Sequence, residues 1–313
     1  MFMILIDTNI YLEFYESPAA RKLVPSLLEI KDHVLVTSTI VDEVRRNQLS
    51  ICCSALVSQY DKLSLPNVSV SDQLLGAAPN ELTDLRRDIS DVKTRLTEIR
   101  TKIDSLIAST LSQVQQCSDP VSLALEPLFQ SAVPPTDAER AQARQRKEVG
   151  NPPGKRDDPL GDQITWEQFL SRAKNADALW IVTKDGDYCT RQSDQLLINP
   201  VLSRDLDAHG YKGPAIRCFY SLADALSDLK QSGHQISVLP TTDILSEIKK
   251  EEGRLPNNTR FLWDTNVLAG LRDHFHCPMC GTTFAAGELF IEQTESGLAQ
   301  RCRCGHCGAV WTL

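Results

Sequence analysis

The sequence predicts an α/β fold built on a central parallel sheet, with an inserted helical arm and a small cysteine-rich C-terminal module. Three observations predict it: short apolar runs that stop at an acid, an unbroken run of three- and four-residue hydrophobic steps, and two Cys-x-x-Cys pairs near the C-terminus. Apolar runs of strand length read as buried strands, and in α/β sheets the C-terminal strand edge is where ligands bind.

The first strand is residues 3–6, and Asp7 is its first polar residue, followed by Thr8 and Asn9. Residues 34–37 form the next, and residues 38–43 open a helix in which Thr39 and Asp42 have capping-box spacing; Glu43, one residue further, points elsewhere. A long helix follows, in which Leu82, Leu85, Ile89, Val92, Leu96, Ile99, Ile103 and Leu106 make the seam of a coiled coil or an antiparallel helix pair. That seam meets either another helix of the chain, with residues 121–130 returning across it, or a second subunit. Residues 132–158, with Pro134, Pro135, Pro152, Pro153 and Gly154, read as a loop holding a short polar helix. Its cations Arg140, Arg144, Arg146, Lys147, Lys155 and Arg156 face one acid, Glu148, and form either a solvated surface or a guide for substrate phosphates. Asp162 follows the turn at 158–161 and precedes an amphipathic stretch carrying Ile164, Phe169, Leu170 and Ala173. Residues 179–182 form another strand, running through Thr183 into Asp185 and Asp187, and residues 216–222 give a closing strand and helix. Residues 231–260 read as a connector with a short helix at 244–251.

Asp7, Glu43, Asp162 and Asp185 are thus four carboxylates at strand ends or helix starts. Each alone has a plain reading as a turn residue, a first-turn acid or an N-cap. Together, hard oxygen ligands without His or Cys favour magnesium or manganese over zinc. Clustered carboxylates holding such ions suit phosphodiester hydrolysis, because the bound ion lowers the pKa of water and neutralises charge on the leaving oxygen. Asp187 is either a further ligand or a turn residue, with the turn favoured. No Ser-His-Asp arrangement or phosphate-binding glycine loop is evident.

The set, in this order, resembles the PIN-domain nucleases, especially a bacterial PIN-like branch. The resemblance covers roughly the first 230 residues and rests on residues 6–9, 39–43, Gly161-Asp162 with Trp166, Thr183 with Asp185, and 216–222. It implies a three-layer domain, metal ligation by Asp7, Glu43, Asp162 and Asp185, orienting roles for Asn9 and Thr183, and cleavage of RNA in preference to DNA. The chain departs from a minimal member in the large insertion between the second and third acids. An alternative from another class is a catalytically inactive PIN-like scaffold whose arm and C-terminal module bind proteins or nucleic acid. Four mutually repelling carboxylates favour the enzyme.

The formal net charge of -8 argues against non-specific coating of nucleic acid. No apolar stretch reaches membrane-spanning length, and the N-terminal apolar run is too short for a signal core, so a cytoplasmic location is expected. Of 10 cysteines, Cys52, Cys53, Cys117, Cys189 and Cys218 lie in apolar or helical segments and read as small buried hydrophobes. The others crowd the C-terminus. Cys277 with Cys280, and Cys304 with Cys307, match zinc knuckles, each followed by the glycine that permits the tight turn. This tail resembles a zinc ribbon, with strands over 284–292 and 309–312 and a closed structural site. Cys302, His274, His276 and His306 are the alternative ligands. A second Asp-Thr-Asn at 264–266 reads as a helix cap. The expected layout is a PIN-like unit over 1–230 with its insertion at about 80–157, a connector over 231–272, and the ribbon over 273–313. A homodimer through the arm is one partner expected; nucleic acid is the other.

Overall fold

The computed structural model describes residues 2–60, 79–154, 159–192, 195–214, 216–234, 236–252, 289–293, 300–304 and 310–312. The chain forms two compact units, Met1–Leu255 and Pro256–Leu313. In the first, β1 (Phe2–Ile6) leads through α1 (Thr8–Glu16) and α2 (Val24–Glu29) to β2 (Val34–Leu35) and α3 (Ser38–Tyr60). The insertion follows as α4 (Pro79–Gln115), α5 (Pro120–Phe129) and α6 (Asp137–Glu148). The chain then returns through α7 (Gly161–Ala173), β3 (Ala178–Val182), a hairpin of β4 (Cys189–Gln192) and β5 (Gln195–Ile198), α8 (Pro200–Ala208), β6 (Arg217–Phe219), α9 (Leu222–Gln231) and α10 (Thr242–Glu252).

The sheet has the order β2-β1-β3-β6, with every pair parallel. Burial is continuous along Phe2–Ile6, as the unalternating apolar sequence requires of a strand covered on both faces. Ile6 lies opposite Val182, and Val182 opposite Phe219, so these strands stop at a common edge. The chain leaves β1 for β2 on one side and later takes up β3 on the other. Such a reversal opens a crevice at the carboxyl ends of the two central strands, here β1 and β3. The core beneath holds Trp166, Trp180, Tyr11, Phe14 and Phe169, all fully buried.

The helix after β2 is capped differently from the sequence expectation. Thr37, rather than Thr39, accepts from the Ile40 N–H at 3.2 Å. A cap two residues beyond the strand starts α3 at Ser38 and leaves Glu43 in its second turn. The capping box occurs instead at Thr136 and Glu139, which start α6. Residues 137–148 form the polar helix expected within this stretch, and it packs on α7. Ahead of it, Val133 pairs with Thr37, donating its N–H to the Val36 carbonyl at 3.0 Å and accepting from Ser38 at 3.1 Å. The insertion thus re-enters the domain beside the end of β2, which brings α7 back to the sheet edge.

The base of the arm is tied by a buried polar chain. Tyr15 donates to Gln48 at 3.0 Å and lies 2.9 Å from the Ser122 hydroxyl, Gln48 donates to the Val114 carbonyl at 3.0 Å, and Asp119 caps α5 at the Val121 and Ser122 N–H groups. The expected return of residues 121–130 across the long seam is not what this helix does: α5 packs on α2. The expected connector also docks, since Glu29 accepts from the Ser237 and Val238 N–H groups and Lys22 pairs with Glu247 at 2.8 Å.

The second unit carries a three-stranded antiparallel sheet of β7 (Leu289–Gln293), β8 (Gln300–Cys304) and β9 (Val310–Thr312). β8 is a strand the sequence expectation lacks. Cys302 lies within it and Cys304 ends it, while Cys277, Cys280, Cys307, His274, His276, His306 and the second Asp-Thr-Asn lie outside the described residues. Among the described residues no helix is long and apolar enough to cross a membrane.

Candidate active site

Asp7 stands at the crevice because its backbone is the last to pair with β3: its N–H donates to the Val182 carbonyl at 2.9 Å. Its carboxylate caps α1 through the Thr8 N–H at 2.8 Å and accepts from the Thr183 hydroxyl at 2.8 Å, with the Asn9 amide at 3.4 Å. The two polar neighbours expected to orient it, Asn9 and Thr183, both contact Asp7. Thr183 is buried and also accepts from the Asp185 N–H at 3.0 Å, so one hydroxyl links the two strand-end acids.

Glu43 is brought in from α3 and accepts from the Thr8 hydroxyl at 3.0 Å. Asp162 sits in the first turn of α7 and is not its N-cap, which is Leu160. The first turn of α7 comes so close to α3 that a Cβ on Gly161 would lie 3.2 Å from the Thr39 methyl and 4.0 Å from a Glu43 carboxylate oxygen. Glycine here lets the helix bearing the third acid approach the helix bearing the second. Asp187 takes part in the turn through its backbone: its N–H donates to Asp185 at 2.9 Å and its carbonyl accepts from Asn199 at 3.3 Å.

The electrostatics show the same convergence. Burial raises the Asp7 carboxyl, and the Glu43 and Asp185 charges add to this against the lowering effect of the Thr183 hydroxyl, leaving it at about 6. Tyr188 is buried, its ring edge-on to Trp166 at 6.1 Å. Its phenol is held well above its ordinary range, first by burial and then by the charges of Asp162, Asp7, Asp185 and Glu43. One buried ring therefore lies within electrostatic reach of all four acids. Sequence reasoning missed Tyr188, because a lone tyrosine after a turn carries no periodic or motif signal. Next to the site, Lys184 pairs with Glu13 at 2.5 Å.

Hard oxygen donors suit a divalent cation such as magnesium or manganese. As the side chains stand, no three His, Cys, Asp or Glu among the described residues are grouped tightly enough to hold an ion. Asp7 and Glu43 instead direct oxygens at the hydroxyls of Thr183 and Thr8. Such bonds contribute about 1 kcal/mol each, which is small against the attraction between a divalent ion and several carboxylates, so the residues fit the group.

The proposed cation guide is divided by the structure. Arg140 and Arg144 are exposed and Lys147 is half-buried. Arg146 is buried at 8 % exposure and spends its guanidinium on Glu167 at 2.7 Å, Asp205 at 2.7 Å and the Pro152 carbonyl at 2.8 Å. That geometry makes Arg146 a link between α6, α7 and α8 and corrects its expected place among the substrate cations. Lys155 and Arg156 lie outside the described residues.

A family model described as a PIN like domain matches residues 3–200, and the chain belongs to that family. The match includes all four acids and stops short of β6 and α9. No curated protein and no solved structure matches the chain.

Proposed function

We propose that this PIN-like protein is a metal-dependent nuclease that hydrolyses phosphodiester bonds, with RNA favoured over DNA. The observation that carries the reading is that one Thr183 hydroxyl links Asp7 and Asp185 at the crevice between β1 and β3, with Glu43 bonded to Thr8 beside them and the first turn of α7, which bears Asp162, packed against α3. Asp7, Glu43, Asp162 and Asp185 are the residues that would hold magnesium or manganese. When bound, such an ion lowers the pKa of water and offsets charge on the scissile phosphate and leaving oxygen. The chain's own part is to hold the carboxylates in place. Thr183 orients Asp7 and the Asp185 turn, Thr8 steadies Glu43, and the tightly apposed first turn of α7 presents Asp162. Membership of the PIN-like family supports nuclease activity and contact with nucleic acid. The test is incubation of the purified chain with RNA, single-stranded DNA and duplex DNA across a metal panel, with Asp7→Asn as control. No cleavage of any substrate with any metal would favour a scaffold.

The exposed cations of α6 supply the binding prediction. Arg140→Gln with Arg144→Gln is expected to weaken substrate binding and reduce the slope of log affinity against log salt by about 1 to 2, since each phosphate contact releases counterions. Cleavage of saturating substrate stays within about twofold. Binding measured between about 50 and 200 mM salt checks this, and an unchanged slope would make the helix face solvent surface only.

For the C-terminal unit the proposal is a structural zinc ribbon held by Cys277, Cys280, Cys304 and Cys307. Freshly purified protein should contain about one zinc per chain by elemental analysis, and Cys277→Ser with Cys280→Ser should remove it.

A further inference from the structure

We infer that the exposed seam of α4 is the dimer interface of this protein, pairing with α4 of a second copy as a parallel two-stranded coiled coil. The inference does not depend on the nuclease reading.

The helix runs Pro79–Gln115, about 55 Å at the common rise per residue. The three- and four-residue steps of its apolar positions keep one stripe on one side, a 3.5-residue period that suits a supercoiled partner of the same kind. That stripe is open to solvent in the single chain: Leu85 is 47 % exposed, Val92 53 %, Ile99 43 % and Leu106 67 %. Ile89, Leu96 and Ile103 beside them are only half-buried. Scattered exposed apolar side chains need no explanation, but a continuous stripe of about 32 Å from Leu85 to Leu106 does.

The neighbouring helix cannot cover it. Gln48 of α3 is level with Val114, where it donates to the carbonyl at 3.0 Å, and α3 ends at Tyr60. At equal rise along two antiparallel helices, Tyr60 comes roughly level with Lys102. Positions from Ile99 back to Leu85 project beyond the described part of α3, and Leu106, although level with it, is 67 % exposed, so α3 leaves the stripe uncovered among the described residues.

Charge selects the occupant and its direction. The residues flanking the stripe are Asp88, Arg95 and Lys102 on one side and Arg86, Lys93 and Arg100 on the other. In a parallel pair each first-side residue meets the partner's second-side residue five positions on. Asp88 then meets Lys93 of the partner subunit, Glu81 precedes Arg86 with the same spacing, and only Arg95 with Arg100 repels. In an antiparallel pair like sides face each other. The side bearing Arg86, Lys93 and Arg100 would then meet its own copy, setting cation against cation along its length. A parallel coil also places both PIN-like units at the same end, because the C-terminal end of α4 is the end tied to the domain through Gln48.

Light scattering on the full-length protein at tens of micromolar should give twice the chain mass of 34.8 kDa. Ile89→Asp with Leu96→Asp should give the mass of one chain, with helicity from circular dichroism close to wild type because neither residue lies in the core. Direction is tested by charge exchange. Asp88→Lys alone should weaken dimerisation by about tenfold, and adding Lys93→Asp should restore it. In an antiparallel pair the cation introduced by Asp88→Lys would still face Lys102 of the partner subunit, and no rescue would occur. A single-chain mass for wild type, a mass above two chains, or a dimer that survives the double aspartate variant would overturn the interface. Absence of charge-exchange rescue would overturn the parallel arrangement.

Discussion

Asp7→Asn is expected to reduce phosphodiester cleavage by about 100- to 1,000-fold while making the metal-free fold more stable at neutral pH. The two effects share one cause. In the folded chain the Asp7 carboxyl sits at about 6, above its ordinary 3.8, because burial and the charges of Glu43 and Asp185 disfavour its ionised form. A group whose folded pKa is raised contributes stability that is fully present below its unfolded pKa and is lost as pH rises through the folded value. The window is therefore about pH 4 to 6, and above it the metal-free fold carries a penalty of about 2 kcal/mol once partial solvent access is allowed for. Asparagine keeps one oxygen to accept from the Thr8 N–H and sets its NH2 against the Thr183 hydroxyl, which can accept in turn; it carries no charge, so the variant lacks this penalty. Urea denaturation in chelator should show the variant more stable than wild type at pH 7 and equal to it near pH 4. A variant that is less stable at pH 7, or that cleaves at the wild-type rate, would sink the assignment of Asp7 as a buried anion serving a metal. Glu43→Gln and Asp185→Asn should also lose cleavage, which separates a shared site from a defect peculiar to α1.

The strand ends were legible because an apolar run broken by a carboxylate leaves little freedom. The Phe2–Ile6 strand must be buried on both faces, and its next residue must emerge at the edge. The same holds where Val182 gives way to Thr183 and Asp185. Which acid caps and which serves the site was less legible. Thr37 and Thr39 are equally good caps by type, and only the point where β2 stops pairing chooses between them. Convergence across the insertion was not legible at all, since it depends on Val133 rejoining β2 and on Gly161 allowing α7 against Thr39, both long-range contacts. The upward shift of the Tyr188 phenol by burial and by the charges of Asp162, Asp7, Asp185 and Glu43 likewise comes only from assembling four distant segments. The apolar stripe of α4 is legible as a pattern of steps, but its occupant is not, because amphipathicity names a face and not its partner; the helix expected to cover it packs on α2 instead.

Arg146→Met is expected to destabilise the fold by about 3 to 5 kcal/mol, far more than any change to its exposed neighbours. Sequence places Arg146 in a run of cations on a helix whose only apolar buried residue is Ala143, so charge alone suggests a solvated face. The structure turns one stripe of that helix inward: Glu139, Ala143 and Arg146 are its buried residues, spaced at helical intervals. Burial in such a place is tolerable only because the guanidinium fork is matched. It donates to Glu167 and the Pro152 carbonyl and pairs with Asp205, while Glu139 of the same stripe pairs with Arg172 at 3.2 Å. Removing the cation leaves Glu167, 4 % exposed, as an uncompensated buried anion beside Asp205, and that desolvation penalty is the source of the loss. Lysine at this position is not expected to restore stability, because a point charge cannot reproduce the planar fork. Arg146→Met combined with Glu167→Leu should recover much of it, because the buried anion goes with the cation. Arg144→Gln, on the exposed face, should stay within about 0.5 kcal/mol. Urea denaturation of these variants at pH 7 decides the matter. A loss below about 1 kcal/mol for Arg146→Met would return this arginine to the solvent-facing cations, whereas the full loss makes it the bond through which α6 holds α7, and with it Asp162, at the crevice.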